Sequence, residues 1–413
     1  MNISDSERIA GFLEAQKLKP AKDIATANLV IFNTCGVRKM AEDRAYGQIH
    51  NLWKNNPRAK IVLTGCLANR KDVQENLKDK VALFFPISEF NKFENWIIEN
   101  SNTTKCDYLH LTPKYSNKFS AHVPIMTGCN NFCSYCVVPY ARGREVSRPA
   151  EEVLAEIKKI IANGAKEITL LGQNVNSYKS KNYNFAKLLK AVDALPGDFW
   201  IRFMTPHPKD MTNALIETIT SLEKVCEAVH LPIQSGDDTI LEKMNRQYTR
   251  THYLELIEKI KKGFAQNKPG TIFSLSSDII VGFPGETKAQ LEKTASVMRK
   301  VKYDMVFFGQ FSPRPLTAVW KLKDNVPKTE KVRREKYLNE ILSQTALVNN
   351  QEYLGKTFLV LVNSEKNSRY FGQTRTLKNV KIETDRKNLI GQFVEVKITR
   401  TATWNLEGET YEK

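Results

Sequence analysis

The sequence predicts an α/β protein in three parts: an amino-terminal doubly wound parallel sheet, a central (βα)6 partial barrel and a small carboxyl-terminal β-barrel. Three observations carry this. Residues 1–105 set continuous apolar runs between helical stretches, the pattern of a parallel sheet covered on both faces. From about 119 to 315 a strand–helix pattern repeats six times, and each strand ends in a polar or Gly-rich string. Residues 356–410 break into short strands separated by Gly and Asn turns. The boundaries expected are 1–105, a linker at 106–118, then 119–345 and 346–413. At 413 residues the chain has room for these parts and a sizeable core.

In order, 4–17 reads as helix, 28–33 (NLVIFN) as a strand running into Thr34-Cys35-Gly36, and 40–54 as helix. Residues 61–64 (IVLT) form a strand running into Gly65-Cys66; 81–87 is another strand candidate and 90–98 a helix. Both cysteines fall where a strand stops, at the carboxyl edge where such sheets hold ligands. Cys106 and Cys226 read as structural, with a substitute ligand as the alternative reading of Cys106. The Ser-, Asn-, Thr- and Lys-rich stretch 101–118 reads as linker. The six central strands are 122–127, 167–172, 200–204, 228–233, 276–281 and 304–311, ending in GCNNFC, LGQNVNSY, TPHP, PIQSGDD, GFPGET and SPRP. Barrel enzymes build their sites on that face. A charged helix over 328–353 precedes strands at 357–363, 369–374, 380–384 and 393–399 of an expected five-stranded barrel.

Within the first of those strings, Cys129, Cys133 and Cys136 stand in a CxxxCxxC spacing with Tyr135 before the third cysteine. Three thiolates in one short loop can hold three irons of an iron–sulfur cube and leave the fourth open for chemistry. Structural zinc needs four ligands, and no second CxxC pair exists in the chain. The seven cysteines show no framework spacing, which favours a reducing cytosol and metal binding over disulfides. No 18-residue apolar run or signal peptide stands in the sequence, so a soluble, cytoplasmic protein that does not engage the membrane is expected. Lys and Arg number 62 against 45 Asp and Glu, a net charge of +17, and a chain this basic favours an anionic partner such as RNA.

The CxxxCxxC loop is also the signature of the radical S-adenosylmethionine (SAM) superfamily, and the central part accordingly resembles a radical SAM barrel. The resemblance implies that SAM binds the open iron and is cleaved to a 5′-deoxyadenosyl radical. Gly172, Gln173 and Asn174 resemble the segment that receives the SAM amino group, and Gly282 to Glu286, with Gly285 between, the segment along the adenine. Gln234, Ser235 and Gly236 are expected to line the same mouth. His207 could serve as a base, but a positioning role suits radical chemistry better. Arg142, Arg144 and Arg148 fit contacts to the SAM carboxylate or to substrate phosphate.

NTCGVR and LTGC resemble the amino-terminal domain of methylthiotransferases, which holds a second 4Fe–4S cluster on three cysteines. The resemblance places the first of these, and a first strand, upstream of Met1. Only Cys35 and Cys66 are carried over, and translation is expected to begin earlier. The carboxyl-terminal strands resemble a TRAM domain, in which Arg369, Tyr370, Phe371 and Arg375 would set charge beside stacking faces for RNA. Within the methylthiotransferases, CNNFCSYCVVPYARGR, LLGQNVNSY and VGFPGET resemble the MiaB family. That family adds a methylthio group at C2 of N6-(dimethylallyl)adenosine beside the tRNA anticodon, using two SAM, two clusters and an electron donor such as flavodoxin or ferredoxin. A monomer acting on the anticodon loop is expected. Three alternatives differ in chemistry: a methylthiotransferase for threonylcarbamoyladenosine or a ribosomal protein, a non-catalytic iron–sulfur RNA-binding protein, and a methyltransferase that inserts no sulfur.

Overall fold

A computed structural model describes residues 1–36, 39–98 and 108–411. They form two compact units, Met1–Ser116 with Met126–Arg148 and Ser312–Leu322, and Asn117–Ile125 with Pro149–Phe311 and Lys323–Lys413. These units cut across the linear boundaries expected from the sequence. Cys106 lies outside the described residues, so its role as substitute ligand has no structural counterpart here.

The first unit opens with α1 (Asn2–Ala15), β1 (Leu29–Thr34), α2 (Lys39–Asn55), β2 (Lys60–Gly65), α3 (Lys71–Leu77), β3 (Leu83–Phe84) and α4 (Phe90–Ile97). The strands form a parallel sheet in the order β1-β2-β3. Alternation along the strands divides the core into two layers. Ile61 and Leu63 pack with Ala45, Ile49 and Leu52 of α2 and Val73 and Leu77 of α3 on one face. Val62 packs with Ile9 and Phe12 of α1 and Phe90 and Phe93 of α4 on the other. The Phe85 and Phe93 rings stack at 4.9 Å, and Phe12 meets Phe90 edge-on at 5.1 Å. Such buried rings carry a large share of a small layer's stability. The linker expectation changes at its far end. Leu109 and Leu111 give their carbonyls to Arg8, and Lys114 donates its backbone N–H to the Glu7 carbonyl at 2.8 Å. A buried arginine on α1 recruits this stretch because its donors need acceptors.

The chain contributes β4 (Ser120–Pro124) to the second unit, then β5 (Met126–Thr127), α5 (Val138–Arg142) and β6 (Val146–Ser147) to the first. The second unit continues with α6 (Ala150–Ala162), β7 (Glu167–Leu171), β8 (Lys179–Ser180), β9 (Tyr183–Asn184), α7 (Phe185–Asp193), β10 (Trp200–Phe203) and α8 (Asn213–Ser221). Next come β11 (Ala228–His230), α9 (Asp238–Lys243), α10 (Arg250–Asn267), β12 (Ser274–Val281), α11 (Lys288–Val301), β13 (Met305–Gln310) and α12 (Lys328–Gln351). Two parallel sheets, β10-β7-β4 and β11-β12-β13, meet through a parallel bridge between Ile201 and Val225, giving six strands in sequence order. The helices start where the sequence caps them: Thr249 accepts from His252 N at α10, and Thr287 with Gln290 forms a capping box at α11.

The closed barrel β14 (Thr357–Lys366), β15 (Arg369–Thr374), β16 (Asn379–Glu383), β17 (Phe393–Thr401) and β18 (Leu406–Thr410) runs in the order β14-β15-β16-β18-β17. Its interior is an alternating set, Val360, Val362, Val380, Ile382, Val394, Val396, Ile398 and Leu406, and Tyr353 is buried in the same cluster.

Candidate functional site

In the first unit the cysteine loop is held by a short hairpin. β5 and β6 pair Met126 with Ser147 and Thr127 with Val146. Gly128 follows at φ +77, and a Cβ there would stand 2.0 Å from the Arg144 carbonyl oxygen. Only glycine permits that approach. Cys129 N donates to the Gly143 carbonyl at 3.2 Å and Cys136 N to the Cys133 carbonyl at 2.9 Å, so the loop is tied at its neck and at its last turn. Cys129 is buried, and Cys133, Tyr135 and Cys136 are half-buried. Exposed Arg144 lies over the Phe132 ring at 4.3 Å.

Among the described residues no cysteine forms a disulfide, and no group of three or more His, Cys, Asp or Glu converges as a single ion requires. Three sulfur donors spread along one short loop fit the separate corners of a cluster rather than one zinc. Burial pushes the Cys129 thiol up, so the loop by itself does not make a thiolate there. Coordination to a metal does.

Cys35 and Cys66 leave the ends of β1 and β2, whose last pair is Thr34 with Gly65. Cys66 N donates to the Thr34 carbonyl at 2.9 Å. A Cβ on Gly36 would meet the Cys66 Cβ at 2.9 Å, so that glycine lets the two strand ends close on one another. Burial raises the Cys66 thiol, with the Arg142 charge working against it. Arg142 corrects the expectation of a contact to RNA or SAM: it is 5% exposed and its guanidinium is ion-paired with the fully buried Asp5. Arg148 is buried as well. A second buried cluster sets Glu42 against Arg70 at 2.8 Å and Arg314 at 3.2 Å. Sequence reasoning missed Asp5, Glu42, Arg70 and Arg314, because partners up to 272 positions apart leave no local pattern.

In the second unit the strings after β7 and β10 interlock. Gly172 gives its carbonyl to Thr205 Oγ1 at 2.7 Å. The Asn174 Nδ2 donates to Asp210 Oδ2 at 2.7 Å, and the Asn174 Oδ1 and Gln173 Oε1 are buried with no partner. Asn176 donates to the His207 carbonyl at 2.8 Å and accepts from the His207 N–H at 2.7 Å. His207 Nδ1 accepts from Lys209 N at 3.1 Å, and burial together with the charges of Arg246 and Lys209 drives its pKa down to about 2. Imidazole there is neutral with its proton on Nε2, which removes the general-base reading.

After β11, Gln234 sits at φ +70 with both backbone groups tied to β12, through Asp278 O at 2.9 Å and Ile280 N at 3.0 Å. Ser235 is fully buried and its Oγ accepts from Asp237 N at 3.3 Å, a turn-forming role rather than a place in an open mouth. Glu286 is corrected too. Its carboxylate takes the Gly282 N–H and the Arg334 guanidinium, each at 2.9 Å, and so pins the turn that carries Gly282 (φ +72) and Gly285 (φ +81).

On the barrel, Arg369 is exposed and Phe371 half-buried. Tyr370 is corrected: it is 5% exposed in the barrel interior, and its hydroxyl accepts from Asn388 N at 3.0 Å. Arg375 is corrected as well. Glu227 holds it at 2.7 and 2.9 Å, with the carbonyls of Glu223 and Val225 at 2.7 and 2.8 Å.

Comparison with known proteins matches residues 123–298 to the Radical SAM superfamily, 1–85 to the Uncharacterized protein family UPF0004 and 351–410 to the TRAM domain. A tRNA-2-methylthio-N(6)-dimethylallyladenosine synthase of Clostridium botulinum (strain Langeland / NCTC 10281 / Type F) is 42% identical over 431 residues, 99% of this chain and 94% of the relative. The chain belongs to this synthase family. Synthases of the same name from Thermoanaerobacter pseudethanolicus and Clostridioides difficile are 39% and 40% identical, over 100% and 99% of this chain and 91% and 89% of theirs. The synthase fold is shared with a solved radical S-adenosylmethionine methyltransferase, TsrM from Kitasatospora setae, at TM-score 0.51 and 13% identity over 87% of this chain and 71% of that one. Membership brings with it a 4Fe–4S cluster and SAM. Among the described residues no helix is long and apolar enough to cross a membrane.

Proposed function

We infer that the chain catalyses methylthiolation at C2 of N6-(dimethylallyl)adenosine in tRNA, next to the anticodon. The observation that carries this is 42% identity across 99% of the chain to a synthase of that name. When bound and reduced, the cluster with SAM supplies a radical able to take the C2 hydrogen. No side-chain base could take it as a proton near pH 7, since an aromatic C–H lies far outside the range of side-chain pKa values. Cys129, Cys133 and Cys136 hold that cluster, on a loop whose neck Gly128 and Gly143 close. Cys35 and Cys66 hold a second, auxiliary cluster at the ends of β1 and β2. Arg142 and Asp5, a buried pair beside Cys66, keep that edge of the first unit in shape. Gly172, Gln173, Asn174 and Gln234 bind SAM, and the turn Gly282–Gly285, braced by Glu286, lies against it. Exposed Arg144 and Arg369, with the Phe371 face, meet the RNA. The splayed anticodon-loop base is reached without melting a duplex. A flavodoxin- or ferredoxin-type donor reduces a monomeric, cytoplasmic enzyme.

The test is mass spectrometry of tRNA nucleosides from a bacterial strain lacking its own enzyme and expressing this chain. The 2-methylthio derivative of N6-(dimethylallyl)adenosine is expected. Its absence from cells whose purified protein carries iron overturns the substrate assignment, and the same spectra reveal a threonylcarbamoyladenosine product.

A further inference from the structure

Two side chains at the carboxyl edge of β7 and β10 are hydrogen-bonded at one end and carry a buried polar atom with no hydrogen-bond partner at the other. His207 is 6% exposed and Asn174 1%. The short turn Pro208–Asp210 fixes both: Lys209 N donates to His207 Nδ1 at 3.1 Å, and Asp210 Oδ2 accepts from Asn174 Nδ2 at 2.7 Å. The His207 ring is further set by an edge contact to Tyr248, centroids 5.6 Å apart. What remains is a donor, His207 Nε2–H, and an acceptor, Asn174 Oδ1, both buried with no partner. Leaving a buried donor or acceptor without a hydrogen bond costs its desolvation. Two such groups braced by one turn are a feature to be explained rather than an accident of packing.

Their polarity selects the ligand. A carboxylate or phosphate offers acceptors only and would face the lone pairs of Asn174 Oδ1 and Gln173 Oε1. An ammonium offers donors only and would face the Nε2 proton. A neutral group that presents an acceptor beside a donor satisfies both, and an adenine edge does this with a ring nitrogen next to its exocyclic N–H.

We propose that His207 Nε2–H and Asn174 Oδ1 together bind the edge of an adenine, the histidine donating to a ring nitrogen and the asparagine accepting from the N6–H. The inference rests on the function proposed above, which supplies two adenines, that of SAM and that of the target base. His207 is then a contact residue to ligand, holding the adenine still while the bond that reacts lies away from the contacted edge.

The experiment measures binding of two probes to the full-length, iron-loaded enzyme: SAM, and an anticodon stem-loop RNA containing N6-(dimethylallyl)adenosine. Each probe is also used with its adenine replaced by 1-deaza- and 7-deaza-adenine. His207→Phe removes the donor and His207→Gln keeps an N–H at similar reach. For one of the two probes, His207→Phe weakens binding about tenfold, the loss of roughly 1.4 kcal/mol, His207→Gln recovers most of it, and one deaza analogue shows the same loss with the unaltered enzyme. The probe affected identifies whether the adenine is that of SAM or of the RNA. Equal affinity of enzyme and His207→Phe for both probes overturns the proposal, as does full affinity for every deaza analogue. The deaza series needs no variant, so it decides even if His207→Phe fails to fold. Formation of the methylthio nucleoside by the unaltered enzyme is scored in parallel: product with no His207 dependence rejects this contact alone, and no product rejects the proposed function while the SAM probes still judge the contact.

Discussion

A histidine whose pKa is about 2 in the folded chain and near 6.5 when unfolded makes stability depend on acid. Between those values the unfolded chain binds the extra proton, so the contribution is complete above about pH 6.5 and is lost progressively as pH falls towards 2. From pH 7 to pH 5 the loss is about 2 kcal/mol for His207 alone. The charges of Arg246 and Lys209, which face the ring, add to burial in disfavouring its protonated form. Denaturant unfolding at the two pH values is expected to show a smaller difference for His207→Gln than for the unaltered chain; equal differences would mean that the ring is not neutral. Arg142 poses the matching question for charge. Replacing it by Met strands a fully buried Asp5, and a cost of about 3–5 kcal/mol is expected in chemical denaturation. A loss below about 1 kcal/mol would mean that Arg142 and Asp5 do not form a buried pair and would return Arg142 to the SAM or phosphate contact expected from the sequence.

The cysteine loop is an element whose neck closes on one glycine. Gly128→Ala meets the Arg144 carbonyl and adds left-handed strain of about 1–2 kcal/mol, so a net cost above about 2 kcal/mol and reduced iron per chain are expected. Gly47→Ala in the middle of α2 is the control. Its added methyl meets nothing within 4 Å, and the helix gains about 0.5–1 kcal/mol. Iron analysis alongside thermal unfolding separates the two, and unchanged iron in Gly128→Ala would show that the hairpin neck does not shape the loop. This loop was legible in the sequence because its information is local, with three cysteines and a glycine inside nine residues. The six barrel strands were legible for the same reason, since each apolar run and its polar end are contiguous. The fifth strand of the small barrel, β18, was not. Its Leu-Glu-Gly-Glu-Thr carries only Leu406 and Gly408 inward, and it exists because β16 and β17 offer it two edges. The buried ion pairs escaped too, and with them the true roles of Arg142, Glu286 and Arg375. A guanidinium in a basic sequence reads the same whether it faces solvent or a carboxylate 148 positions away.

At the scale of the whole molecule, the charge of +17 makes binding to tRNA a matter of counterion release. The logarithm of the affinity is expected to fall linearly with the logarithm of salt concentration, with a slope close to the number of phosphates neutralised. The two barrel arginines part company here. Arg369 is exposed on β15, and Arg369→Ala is expected to lower the slope by about 1 and leave stability within about 0.5 kcal/mol. Arg375→Met is expected to do the reverse. Its guanidinium binds Glu227 and two backbone carbonyls, so the slope should hold while unfolding becomes easier by about 3 kcal/mol. Filter binding or fluorescence anisotropy from 50 to 300 mM salt, paired with denaturant unfolding, reads both quantities for both variants. A fall in slope for Arg375→Met would mean that the ion pair with Glu227 opens to phosphate, returning that arginine to the RNA face. An unchanged slope for Arg369→Ala would move the RNA contact off this edge of the barrel and leave the basic excess elsewhere on the chain to account for binding.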